Sequence, residues 1–164
     1  MENNTIRVNA LPTLTWHRLH VNACKTEAYV PAKPCTIQTS SENGKAVFSA
    51  VEACNDCSAI ETGVGKAADD LFRWGMTVTA AENITDTLHM EIGSEDGGDC
   101  AAFVSVQAES GSDLTLVQIW KANASHAALR TVVRAASGAK VRLIQILADA
   151  SEESINDVGC VTGD

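Results

Sequence analysis

The sequence predicts a mainly β protein built as a coiled β-solenoid, and three features of its second half support this. Segments 106–119 and 133–146 match without a gap at an offset of 27 residues. Apolar residues alternate within each segment, and a period of two is typical of strands. Each segment also carries a glycine, Gly111 or Gly138, where the chain must turn sharply, because glycine adopts positive φ at no steric cost.

The two copies share residue types on both sides of the glycine. The identical pairs include Ala108 and Ala135, Ser110 and Ser137, Gly111 and Gly138, Leu116 and Leu143, Gln118 and Gln145, and Ile119 and Ile146. A third copy begins at Val158. One strand–turn–strand unit cannot bury its apolar face alone, whereas stacked units cover one another. The alternative is an antiparallel meander with two similar hairpins, and the repeat alone does not separate the two.

The strands of the repeat have two distinct faces. Alternation places Leu114, Leu116 and Gln118 on one face, and Thr115, Val117 and Ile119 on the other. Upstream, 85–92 is predicted as the first strand of the sheet system and 100–108 as the next. Segments 121–127 and 149–153 are predicted as the loops between coils.

The composition limits the classes of function. The chain has 164 residues, enough for one domain with a core, and a formal net charge of -9. Its sparse, scattered Lys and Arg residues disfavour a nucleic-acid-binding face, because phosphate requires clustered cations. Its carboxylates are also scattered over turns, which disfavours a carbohydrate-processing β-helix enzyme with acidic residues grouped in one groove.

Targeting signals are also lacking in the sequence. There is no apolar run long enough for a membrane span, which needs about 18 residues or more. The first part of the chain shows no basic segment followed by an apolar block, the pattern of a secretory signal. We therefore expect a cytoplasmic protein with no membrane association.

The chain is expected to divide into an N-terminal helical and irregular cap region, 1–82, and β-helix coils over 83–164. Within the first region, 66–74 predicts a short helix with Leu71 and Trp74 on one face and Gly75 as the residue that ends it. Segment 45–53 fits either a strand or the start of a short helix.

Cys54 and Cys57 form the sharpest chemical motif. Two thiols at this spacing chelate zinc or an iron–sulfur cluster, or act as a redox pair. A metal site needs two more ligands, for which Cys24 and Cys35 are the candidates, although ten intervening residues are not the spacing of a zinc knuckle. A small metal-binding or redox module is therefore one hypothesis for the function, and unreactive reduced thiols are its alternative. Cys100 and Cys160 are predicted to be small buried apolar residues.

Several segments taken in order resemble the SufB/SufD family. Segment 11–22 (LPTLTWHRLHVN) resembles the N-terminal signature of that family. Segments 111–118 (GSDLTLVQ), 138–145 (GAKVRLIQ) and 155–159 (INDVG) are similar to its core. The resemblance covers residues 8–22 and 101–163.

The resemblance implies a right-handed parallel β-helix flanked by helical segments. It implies a non-catalytic, cytoplasmic scaffold of the SUF system for iron–sulfur cluster assembly. The implied partners are a SufC-type ATPase and a second SufB/SufD-like subunit, in a homo- or heterodimer, with a transient iron–sulfur cluster in the full complex. The family's cluster-building residues lie in its C-terminal half, so none is carried over to a position here.

Three residues of the predicted coils are candidates for an interior site. If Gln118, Trp120 and Gln145 point inwards, they line the coil, where a scaffold of this family could pass sulfur. The alternative is a stacked glutamine ladder that satisfies its own amides. The last coil would expose unpaired strand edges and apolar side chains. This predicts either a longer subunit or end-on pairing with another chain.

Overall fold

The computed structural model describes residues 5–8, 24–27, 31, 34–52, 71–94 and 98–163. This part of the chain contains eleven strands and no α-helix, and hence no helix able to cross a membrane. The strands are β1 Thr5–Val8, β2 Cys24–Glu27, β3 Thr36–Ser41, β4 Val47–Glu52, β5 Trp74–Ala80, β6 Thr85–Gly93, β7 Cys100–Ala108, β8 Asp113–Lys121, β9 His126–Ala135, β10 Lys140–Leu147 and β11 Glu153–Thr162. The segment predicted as a helical and irregular cap therefore contributes five strands.

Strands β5 to β11 wind as a parallel β-solenoid of about three turns. Successive strands alternate between two sheets. One sheet, which we call the even sheet after its solenoid strands β6, β8 and β10, has the order β10-β8-β6-β3. The other, which we call the odd sheet after its solenoid strands, has the order β11-β9-β7-β5-β4. Within each sheet the strands from β5 onward pair in parallel, which excludes the antiparallel meander. The sequence repeat sets the register, because Asp113 lies opposite Lys140 and Leu116 opposite Leu143.

The coils begin one strand earlier than the sequence analysis predicted. β5 pairs in parallel with β7, although it lies within 1–82, the segment predicted as the helical and irregular N-terminal region. The predicted helix over 66–74 is wrong at its C-terminal end, because Trp74 and Gly75 belong to β5; residues 66–70 lie outside the described residues. A Cβ on Gly75 would lie 2.2 Å from the carbonyl oxygen of Phe103. This glycine therefore permits close approach to β7, and it does not end a helix.

Left-handed turns occur at equivalent places in successive coils. Gly111 and Gly138 both have φ 71°, as the sequence analysis predicted. Asn83 occupies the same place one coil earlier and has φ 57°. Asparagine is enriched among the residues that tolerate this conformation, so it replaces glycine there.

The main core lies between the two sheets. Leu114, Leu116 and Gln118 face inwards and are buried, whereas alternate residues of β8 are only partly buried, which confirms the predicted faces. In the odd sheet, β7 and β9 do not alternate, because they are buried on both faces.

The outer face of the odd sheet contains a buried ion pair. Nε of Arg130 on β9 donates to Oδ2 of Asp157 on β11 at 2.8 Å, and both side chains are almost fully buried. The guanidinium also lies 4.3 Å from the centre of the Phe72 ring. A buried charge needs such partners because its removal from water is costly.

Candidate functional site

The two ends of the solenoid are built differently. At the N-terminal end, β3 pairs antiparallel with β6 and β4 pairs antiparallel with β5. Each of these two strands runs opposite to the solenoid strand beside it, and together they cover the first coil. We call β3, β4 and the loop between them the cap.

Asp86 holds the loop of the cap against β6. Its carboxylate is 1% exposed and accepts a hydrogen bond from Oγ of Ser41 at 2.7 Å. The backbone amides that donate to it belong to Asn43, Lys45, Ala46 and Thr87, at 2.9–3.0 Å. Burial alone would raise the pKa of Asp86, but the hydrogen bonds from Ser41 and the loop amides outweigh it and lower the pKa to about 2. The carboxylate is therefore a structural anchor, charged at neutral pH.

The C-terminal end carries no comparable cover in the described part of the chain. β10 and β11 stand at the edges of their sheets. Five of the six exposed large apolar side chains among the described residues lie on these two strands; they are Ile144, Ile146, Leu147, Val158 and Val161. We call β10 and β11 with these side chains the open end. Unpaired edges and clustered apolar side chains together characterise a surface that adds further strands.

The exposed side chains of the open end have two origins. Leu147 and Val158 point inwards, as do Trp120 and Thr131, which stand opposite them on the neighbouring strands. They are exposed because no coil stacks on them in the described structure. Ile144 and Ile146 instead lie on the outer face of the even sheet. There they stand opposite Val117 and Ile119, which are partly buried, and the four form one apolar stripe.

A ladder of polar side chains crosses the interior and reaches the open end. Oε1 of Gln118 accepts hydrogen bonds from Oγ1 of Thr131 at 3.0 Å and from Nε2 of Gln145 at 2.9 Å. Oε1 of Gln145 in turn accepts from Nδ2 of Asn156 at 2.9 Å. The ladder therefore joins both sheets and ends in the pair formed by the partly buried Gln145 and the exposed Asn156. Nε2 of Gln118 has no acceptor in the described part of the chain, where Met90 stands opposite it on β6.

The side chains of all three candidates for an interior site point inwards: Gln118, Trp120 and Gln145. The predicted site depended on this orientation. Gln118 and Trp120 are buried, and Gln145 is partly buried. The ladder accounts for both glutamines by hydrogen bonding within the coil. Sulfur transfer along these residues stays a prediction.

The predicted cysteine site is only partly covered by the structure. Cys54 and Cys57 lie outside the described residues, and the side chain of Cys24 is also outside them. Cys35 is buried in the core beside Cys100, and the predicted burial of Cys100 is confirmed. The prediction for Cys160 is wrong: it stands opposite the buried Val133 but is exposed, because it belongs to the last coil.

No metal-binding cluster occurs in the described ranges. Their His, Cys, Asp and Glu residues form no group of three or more that could hold a metal ion. A partly open cavity of about 540 Å³ lies between the cap and the first coil. Its described lining is mostly apolar and consists of Pro34, Cys35, Ile37, Ala50, Val51, Trp74, Gly75 and Met76. Cys35 is the one titratable group in that lining, so the lining has no acid–base pair.

Comparisons with protein-family models, with curated proteins and with solved structures found no match. The structural features of the chain therefore carry the argument about its function. Among these, the sequence analysis identified Gln118 and Gln145 but missed Asp86, Asn156 and the Arg130–Asp157 pair. Only the 27-residue spacing between Arg130 and Asp157, equal to the repeat, could have indicated that last contact.

Proposed function

We propose that the protein is a non-catalytic scaffold subunit that binds a partner protein through its open end. The observation that carries the proposal is the contrast between the capped first coil and the uncovered last one. A partner that supplies strands would pair with the backbone edges of β10 and β11, as in β-strand addition.

The side chains of the open end support a protein partner. A strand added beside β10 would pack its inward side chains on Leu147. Its outward side chains would extend the stripe that contains Ile144 and Ile146. A strand added beside β11 would similarly cover Val158. Backbone hydrogen bonds would supply affinity, while these apolar side chains and the Gln145–Asn156 pair would set the register.

The specific form of the proposal is a SufB/SufD-like subunit of the SUF system for iron–sulfur cluster assembly. It rests on the resemblance of 111–118, 138–145 and 155–159, segments that fall on β8, β10 and β11 or on the turns leading into them. The proposed partners are a SufC-type ATPase and a second SufB/SufD-like subunit, in the cytoplasm. A transient cluster would form in that complex, outside the residues assigned here.

Binding measurements with purified proteins test both forms of the proposal. The chain is mixed with the SufC-type ATPase and the second SufB/SufD-like subunit from its own source cells, and complexes are measured by light scattering after gel filtration. The wild-type chain is expected to form a complex that the double variant Ile144→Lys/Ile146→Lys weakens by at least about tenfold, since charges on the edge strand β10 oppose pairing with an added strand.

Val47→Lys is the matched control, because Val47 is the exposed apolar side chain of the cap. It should leave the complex intact. If no complex forms with either protein, the SUF assignment is wrong. If a complex forms but Val47→Lys weakens it as much as the open-end variant does, the open end is not the binding surface.

A further inference from the structure

The topology brings two cysteines from distant parts of the sequence together. Because β3 runs antiparallel to β6, Thr36 at its start lies opposite Gly93 at the end of β6. Cys35 precedes Thr36, and Cys100 is the first residue of β7, the strand that follows β6 along the chain. Both thiols therefore lie at the same end of the coil and belong to the core cluster between the sheets, where each shifts the pKa of the other.

The pair is buried but has a route to small molecules. Both side chains belong to the core cluster between the sheets and are less than one-tenth exposed. Cys35 also lines the partly open cavity between the cap and the first coil. A molecule as small as hydrogen peroxide fits this space.

The two thiols differ in acidity. Hydrogen bonding to Cys100, burial and the charge of Cys100 raise the pKa of Cys35 far above its ordinary value. The hydrogen bond from Cys35 lowers the pKa of Cys100, against the opposing effects of burial and of the Asp149 and Asp99 charges. Cys100 is thus the better thiolate and Cys35 the proton donor beside it.

We propose that Cys35 and Cys100 are a peroxide-oxidised thiol pair that forms a reversible disulfide between the cap and the second coil. The Cys100 thiolate attacks one oxygen of hydrogen peroxide, the O–O bond breaks, and the other oxygen leaves as hydroxide and is protonated to water. The resulting sulfenic acid is attacked by the sulfur of Cys35. The S–S bond forms, the Cys100 hydroxyl leaves as a second water, and each thiol has lost one electron and one proton.

The disulfide would lock the cap onto the solenoid without involving the open end. It would close a loop between residues 35 and 100, which restricts the unfolded chain and raises the thermal midpoint of unfolding. A dithiol reductant would restore both thiols by exchange. This inference is independent of the proposed scaffold function.

Peptide mapping of the full wild-type chain tests the proposal directly. The chain is incubated with hydrogen peroxide, unfolded in the presence of an alkylating reagent, digested and analysed by mass spectrometry. A peptide pair linked through Cys35 and Cys100 is expected, and treatment with dithiothreitol before alkylation should abolish it. Recovery of both cysteines as alkylated thiols, or linkage of either one to another cysteine, would overturn the proposal.

Single substitutions distinguish the two roles. In Cys35→Ser, a sulfenic acid should persist at Cys100 and react with dimedone, whereas in Cys100→Ser residue 35 should stay reduced. Cys160→Ser is the control and should leave the disulfide unchanged. Dimedone labelling of Cys35 in place of Cys100 would contradict the assignment. The wild-type mapping remains decisive if either buried variant fails to fold.

Discussion

The two ends of the solenoid each contain a buried carboxylate, but the two carboxylates make opposite kinds of contact. Asp86 receives its donors from the cap, which lies outside the coil that it belongs to. Asp157 pairs with Arg130, one coil further in. The first contact attaches the antiparallel cap to the first coil, and the second only fastens the last strand to its neighbour. The capped end is thus held by donors from outside the repeat, and the open end lacks such an anchor among the described residues.

The largest expected effect comes from the ion pair that fastens the last strand. Arg130→Met leaves the Asp157 carboxylate buried without its partner and also removes the contact with the Phe72 ring. We expect the free energy of unfolding to fall by about 3–5 kcal/mol, measured by chemical denaturation.

The control for this variant is Arg142→Met, which breaks the exposed pair with Asp113 and should cost at most about 1 kcal/mol. A double variant, Arg130→Met/Asp157→Leu, should recover most of the lost stability. Equal effects of the two single Arg substitutions would show that the last coil does not depend on its buried pair.

Asp86→Ala should release the cap and lower the free energy of unfolding by about 2–4 kcal/mol, since it leaves several donors unpaired. The pKa of Asp86 is about 2 when folded, below its ordinary 3.8. Its stabilising effect is therefore complete above that ordinary value and is lost as the pH falls through about 2. Unfolding measured across this range should show the loss in the wild-type chain and a weaker loss in Asp86→Asn. An unchanged pH dependence in Asp86→Asn would contradict the anchoring role.

The same substitution can be compared in two successive coils, at Gly111 in the inner one and at Gly138 in the outer one. Gly111 and Gly138 share φ 71°, so alanine should cost about 1 kcal/mol at either position. At Gly111 the new Cβ would also meet Oδ1 of Asn83 at 2.4 Å, whereas at Gly138 the nearest atom is 3.8 Å away. We expect Gly111→Ala to be the more destabilising by about 1 kcal/mol in thermal unfolding. The reverse order would mean that the inner turn relaxes more easily than the outer one.

The smallest effect on stability is expected at the open end itself. Ile144→Lys/Ile146→Lys changes side chains that are already half exposed, so the free energy of unfolding should change by less than about 0.5 kcal/mol per site. Sedimentation velocity should nevertheless show less self-association than in the wild-type chain, because charges on an edge strand discourage edge-to-edge pairing. Val47→Lys at the cap should leave sedimentation unchanged. A large loss of stability in the double variant would show that these isoleucines contribute to the folded core.

The repeat made much of the architecture predictable. The matched segments correctly placed β8 and β10 in register, and alternation correctly separated the two faces of β8. The repeat did not predict that the coils begin at β5 or that Asn83 takes the place of a glycine. At Asn83 a different residue adopts the same left-handed backbone conformation, so sequence identity between the copies is lost there.

The candidate site was less predictable than the fold. Gln118 and Gln145 could be found because they repeat, whereas Asn156 completes their ladder from the opposite sheet and has no repeated signature. Cys160 follows the inward pattern but is exposed, because burial depends on a further coil and not on alternation. A strand pattern gives the direction of a side chain, and a neighbouring layer decides whether that side chain is buried.

Local sequence was enough to specify the strand period, the left-handed glycine turns and the spacing of the coils, because each depends on local backbone preferences repeated along the chain. Which end is capped and which cysteines meet depends instead on the three-dimensional fold. The antiparallel return of β3 brings Cys35 to Cys100 and places the cap loop over Asp86. These contacts join residues far apart in sequence and outside the repeat, so no local pattern encodes them.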